Sequence, residues 1–213
     1  MCETDLLTSI IDENGLMSNK MAIIKLYNYL KKHIHPNLTP LNITLTSSGG
    51  SSVVLIPMFS RKAYQYYNHL ETYQDIISLS QINKGCSNLV QLGVDRQLLP
   101  SKFQTIIWER LTPILSIGSG GVPQSISDRF PLGFPNIDKL IADITKSLQW
   151  FHSHGYKHGD CRLDNIGWRS GSHNLPDEYV LFDFNLSRES TSQAEFKKDY
   201  EMFAQSIVNN CVG

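Results

Sequence analysis

Asp160, Arg162 and Asn165 stand together on one short stretch of this chain. Residues 148–157 before them read as the end of an amphipathic helix closed by Gly155, and residues 166–168 after them open an apolar strand. A second apolar run, Tyr179-Val180-Leu181-Phe182, leads directly into Asp183-Phe184-Asn185. A carboxylate, a cation and an amide on one loop, with another carboxylate at a strand end, suit phosphoryl transfer. That reaction asks the protein mainly for positioning and for neutralisation of phosphate charge. Asp160 would orient the acceptor hydroxyl. Asn165 and Asp183 would offer the oxygen ligands that Mg2+ prefers. Taken singly, Asp and Asn at such positions usually only cap turns, so the arrangement as a whole carries the argument.

The pattern His158-Gly159-Asp160-x-x-x-x-Asn165 followed by Asp183-Phe184-Asn185 resembles the catalytic and metal-binding loops of the protein kinase-like superfamily. The resemblance implies a bilobal α+β fold, with ATP and Mg2+ as cofactors. Asp160 and Arg162 would then be catalytic, and Asn165 and Asp183 would hold the metal. It implies further that Gly49 and Gly50 cover the phosphates and that Glu109 and Leu111 lie at an adenine-receiving hinge. Asp199 would tie down the backbone of the catalytic loop. The family carries a lysine on the strand after the glycine loop, but here Val54-Leu55-Ile56 runs into Pro57. Lys62 is therefore read as the displaced cation, with Arg61 as the alternative and Asp75 or Glu71 as its acidic partner. For either acid the simpler reading is a solvated helix face. The H-G-D form and the short segment after Asp183 resemble compact branches of the superfamily: the small kinase of the KEOPS complex, RIO-type kinases, and aminoglycoside or choline kinases.

The elements that must hold these residues are partly visible. After Asn136, a good N-cap, Ile137, Leu140, Ile141, Ile144, Leu148 and Phe151 recur at helical spacing as far as Gly155. Phe196, Tyr200, Phe203 and Ile207 stripe a last helix. Upstream, Ile23, Tyr27, Leu30 and Ile34 predict a helix stopped by Pro36. Residues 43–46 and 53–56 predict two strands around a Ser/Gly turn, residues 63–83 a helix, and residues 103–108 a buried strand. Residues 112–135 are rich in Pro, Gly and Ser and read as a loop. The expected organisation is a loose lead-in over 1–18, a reduced N-lobe over 19–108 and a truncated helical C-lobe over 109–213.

At 213 residues, with 41% hydrophobic and 18% charged residues, the chain has the composition of an ordinary globular domain. Its net charge of -1 gives no reason to expect nucleic acid or an anionic membrane, and no apolar run is long enough to cross a bilayer. Four scattered cysteines without a C-x-x-C pair, and an acidic start where a secretory leader is basic, predict an intracellular protein, cytoplasmic or nuclear. The expected partners are a protein or small-molecule hydroxyl substrate and a protein covering the abbreviated C-lobe. Two readings of function follow. One is a phosphotransferase that moves a γ-phosphoryl group to a hydroxyl. The other is a pseudokinase, a nucleotide-binding or scaffolding module.

Overall fold

Alternation of side chains builds the main sheet. Helix Glu3–Glu13 (α1) and helix Lys20–His33 (α2) precede four strands: Ile43–Ser48 (β1), Ser52–Pro57 (β2), Lys62–Tyr67 (β3) and, after helix Leu70–Asn83 (α3), Thr105–Glu109 (β4). All neighbours are antiparallel, in the order β1-β2-β3-β4. Ile43, Leu45, Val53, Leu55, Tyr64 and Ile107 take alternate positions on their strands and share one face. Leu7 and Ile11 from α1 and Ile23, Leu26, Tyr27 and Leu30 from α2 close over that face. The Tyr27 hydroxyl and Lys31 both donate to Glu3 at 2.5 Å, pinning α1 to α2. The Lys31–Glu3 pair is about 40% exposed, and such pairs contribute at most about 1 kcal/mol. Buried side chains, each worth about 1.5–3 kcal/mol, therefore dominate the docking.

This computed structural model describes residues 2–48, 51–92, 103–115, 129–130, 132–133, 135–171 and 177–211. The protein is α+β, and the chain divides into two compact units, Met1–Leu79 with Leu92–Arg110, and Ser80–Gln91 with Leu111–Gly213. Two expectations for the first unit are corrected. The lead-in forms α1, because Leu7 and Ile11, one helical turn apart, both find the α2 core. The helix expected over 63–83 is a strand followed by the shorter α3. Tyr64 and Tyr66 alternate with Gln65 and pair with β2 and β4, and aromatic residues suit a pleated, half-buried surface. Pro57 stands at the end of β2, where a missing N–H is tolerated.

In the second unit, strand Thr112–Pro113 (β5) precedes helix Ile137–Ser153 (α4). The Asn136 side chain caps α4 by accepting the Lys139 N–H at 3.0 Å, and Gly155 ends it with φ +77°. Leu140, Ile144, Leu148 and Phe151 are buried, whereas Ile141, expected in the stripe, is exposed. Strands Tyr156–Lys157 (β6), Ile166–Arg169 (β7), Glu178–Leu181 (β8) and Arg188–Glu189 (β9) follow, then helix Gln193–Cys211 (α5). The strands pair as β5-β7-β8 and β6-β9. Phe196, Asp199 and Phe203 face inward on α5. Its exposed side is polar apart from Ala194, Ala204 and Val208. Among the described residues no helix is long and apolar enough to cross a membrane.

Candidate active site

The loop after α4 hangs from one carboxylate. Asp199, 1% exposed, accepts the backbone N–H groups of His158 and Gly159 and bonds the His152 ring at Nε2, each at 2.8 Å. Burial alone would push its pKa up, but these three hydrogen bonds bring it below the usual carboxylate value. The His152 ring is stacked on Phe196 with centroids 4.4 Å apart, so the bond to Asp199 has a fixed direction. His158 is fully buried. Its Nδ1 accepts the Asp160 N–H at 3.2 Å, and its Nε2 lies 3.1 Å from the Phe182 carbonyl. A carbonyl only accepts, so the proton sits on Nε2, and burial lowers the ring's pKa and keeps it neutral. Gly159 has φ +81°, and a Cβ there would lie 2.6 Å from the Leu186 carbonyl oxygen. The small residue between His158 and Asp160 is required by this close approach.

Strand register then brings the two loops together. Ile166 pairs with Leu181, so Asn165, just before β7, lies beside Phe182, just after β8, and accepts the Phe182 N–H at 2.9 Å on its carbonyl. Asp183 comes next. It takes a left-handed φ of +63°, costly for a residue with a Cβ, and its Oδ1 accepts the Asn185 N–H at 3.3 Å. The Asn165 amide nitrogen donates to both the backbone carbonyl and the carboxylate of Asp160 at 2.9 Å. Arg162 grips the same carboxylate through Nε (2.7 Å) and Nη2 (3.3 Å) and reaches Asp164 at 3.5 Å. Its pKa is raised, chiefly by the Asp160 hydrogen bond, and Asp164 and Asp183 add to its acidic field.

Asp160, Arg162, Asn165 and Asp183 are thus mounted within one unit. The donor types suit a hard cation: Asn165 spends its amide nitrogen on Asp160, which leaves its amide oxygen as an oxygen donor, and Asp183 stands at the same β7–β8 end. Among the described residues no group of three or more His, Cys, Asp or Glu is placed to hold a metal. Of the remaining candidates, Lys62 and Glu109 belong to the other unit and Leu111 to this one. Gly49 and Gly50 lie outside the described residues. Lys62 opens β3 opposite Glu109 and, two residues from Tyr64, takes the sheet face that α1 and α2 cover. Tyr64 on that face lies 2.8 Å from the His35 ring, whose pKa falls through burial and the nearby Lys62 charge. The opposite face carries Gln65, which donates to Ser52 (2.8 Å) and accepts from the Trp108 indole (2.9 Å). Glu71 and Asp75 are exposed on α3, and Arg61 is exposed too. Leu111 packs closely on Gly167. Cys161 is buried with a raised pKa, so it is no reactive thiolate.

Three contributors escape a reading of the sequence. His152 orients Asp199, the Ser187 hydroxyl donates to the His158 carbonyl at 3.0 Å, and Ser206 accepts the Leu163 N–H at 3.0 Å. The available signal is the spacing of Asp199 and Ser206, seven residues apart and so on one side of a helix. Neither a protein-family model nor a curated protein matches this chain, so the functional reading rests on the geometry above.

Proposed function

We propose that this protein is a phosphotransferase with a protein kinase-like bilobal fold. It would use ATP and Mg2+ to transfer the γ-phosphoryl group to a hydroxyl of a protein or small molecule. The observation that carries the reading is the common anchorage of Asp160, Asn165 and Asp183. Asn165 bonds Asp160 directly and shares the β7–β8 end with Asp183, and Asp199 holds the backbone just ahead of Asp160. Asp160 lines up the acceptor hydroxyl and receives its proton late. Its contribution is mostly positional, because a carboxylate is a weak base. Arg162 would meet phosphate oxygens by releasing the Asp160 and Asp164 carboxylates that its planar fork holds. Asn165 and Asp183 hold Mg2+, which when bound neutralises charge on the phosphates. The free cysteines fit a reducing, intracellular compartment.

The test is a thermal shift with ATP. Stabilisation is expected with Mg2+ and not without it, and Asp183→Ala should abolish it. An undiminished shift in that variant rejects the metal assignment. One observation favours a second reading, the non-catalytic nucleotide-binding or scaffolding module: Lys62 shares its sheet face with Tyr64 and the α1–α2 core. Absence of phosphoryl transfer by the wild type, to any acceptor or to water, together with unchanged ATP binding in Lys62→Met, would decide for that module.

A further inference from the structure

Residues Leu163–Asn165 form a single 3-10 turn, and Arg162 before it supplies no side-chain cap. Leu163 is completely buried, so its N–H, a first-turn donor without an intrahelical partner, has no access to solvent. The partner comes from 43 residues further on, where Ser206 Oγ on α5 accepts this N–H at 3.0 Å. Ser206 follows Asp199 by two helical turns, about 10 Å along the axis. Helix α5 therefore grips the loop at two points. Asp199 holds His158 and Gly159 ahead of Asp160, and Ser206 holds Leu163 behind it.

We infer that Ser206 is a positioning residue that sets Asn165 through the turn it caps. The turn closes where the Asn165 N–H meets the Arg162 carbonyl at 2.9 Å. From there Asn165 reaches Asp160 through its side chain and Phe182 through its carbonyl. Without the hydroxyl, the Leu163 N–H is left buried and unsatisfied, and the turn that orients the Asn165 amide loosens. The role rests on the phosphotransfer reading, in which Asn165 is a metal ligand. It acts on Asn165, whereas Asp199 acts on the segment before Asp160.

The experiment compares the full chain with Ser206→Ala and Ser206→Thr. Amide hydrogen exchange at Leu163 should speed at least tenfold in Ser206→Ala while His158 and Gly159 stay protected. The Mg2+ concentration giving half the ATP-dependent thermal shift should rise about tenfold, equivalent to about 1.4 kcal/mol. Ser206→Thr, which keeps the hydroxyl, should restore both. A serine that only stabilises the fold would lower the melting temperature and leave the Mg2+ midpoint alone. Unchanged exchange at Leu163, or an unchanged midpoint, overturns the inference. A wild type with a protected Leu163 amide but no Mg2+-dependent shift overturns it by a different route, because the phosphotransfer reading fails first.

Discussion

Replacing Asp199 with alanine tests the frame of the site. Three donors converge on this carboxylate at 2.8 Å, from the His158 N–H, the Gly159 N–H and the His152 ring. At 1% exposure, solvent does not reach them. Each orphaned backbone N–H costs about 1–3 kcal/mol, while removal of a buried carboxylate recovers part of its own desolvation cost. The net loss comes to about 2–5 kcal/mol, a large share of the 5–15 kcal/mol typical of a folded domain. With a urea slope of about 2–3 kcal/mol/M for this size, the midpoint should fall by about 0.7–2.5 M. Exchange at the His158 and Gly159 amides should rise at least tenfold. The pH dependence carries a second signature. Asp199 is depressed in the fold, its hydrogen bonds outweighing burial. Its stabilisation is therefore present above the unfolded value of about 3.9 and is lost as pH falls through the lower folded value. His158 is depressed by burial, so the unfolded chain takes up that proton first and stability already declines below about pH 6.5. The wild-type profile should slope downward from there and steepen below pH 4, and Asp199→Ala should make that limb shallower, leaving the part due to the depressed carboxyls of Glu195, Glu3 and Asp5. A loss under about 0.5 kcal/mol, with both amides still protected, would refute the clamp.

Asp160→Asn should abolish phosphoryl transfer while ATP affinity stays within about twofold, because the carboxylate serves the acceptor and not the phosphates. Equal loss of binding and turnover would show instead that Asp160 holds the loop together. Gly159→Ala should cost more than about 2 kcal/mol, combining left-handed strain with the 2.6 Å approach to the Leu186 carbonyl. For a chain of this length that lowers the melting temperature by at least about 4 °C, and a drop below one degree with full activity would mean that Leu186 moves aside freely.

What the sequence determines alone is local. The Asn136 cap, the α4 stripe and the Gly155 stop are legible because capping and side-chain neighbours three or four residues apart act within a turn or two. The grouping of Asp160, Arg162 and Asn165 is legible for the same reason: a loop of six residues keeps its own side chains near one another whatever surrounds it. Tertiary structure decides the rest. Tyr67, Leu70 and Ile77 fit a helical period as well as Tyr64 and Tyr66 fit an alternating one, and only pairing with β2 and β4 makes residues 62–67 a strand. That pairing also assigns Lys62 its face, since a one-residue slip in register would turn it to the other side. Leu7 and Ile11 make too short a pattern to announce α1, and burial against α2 supplies what propensity does not. His152 and Asp199 are 47 residues apart, and Leu163 and Ser206 are 43 apart. Hydrogen bonds of that span leave no periodic trace, because they exist only once separate helices and loops have packed.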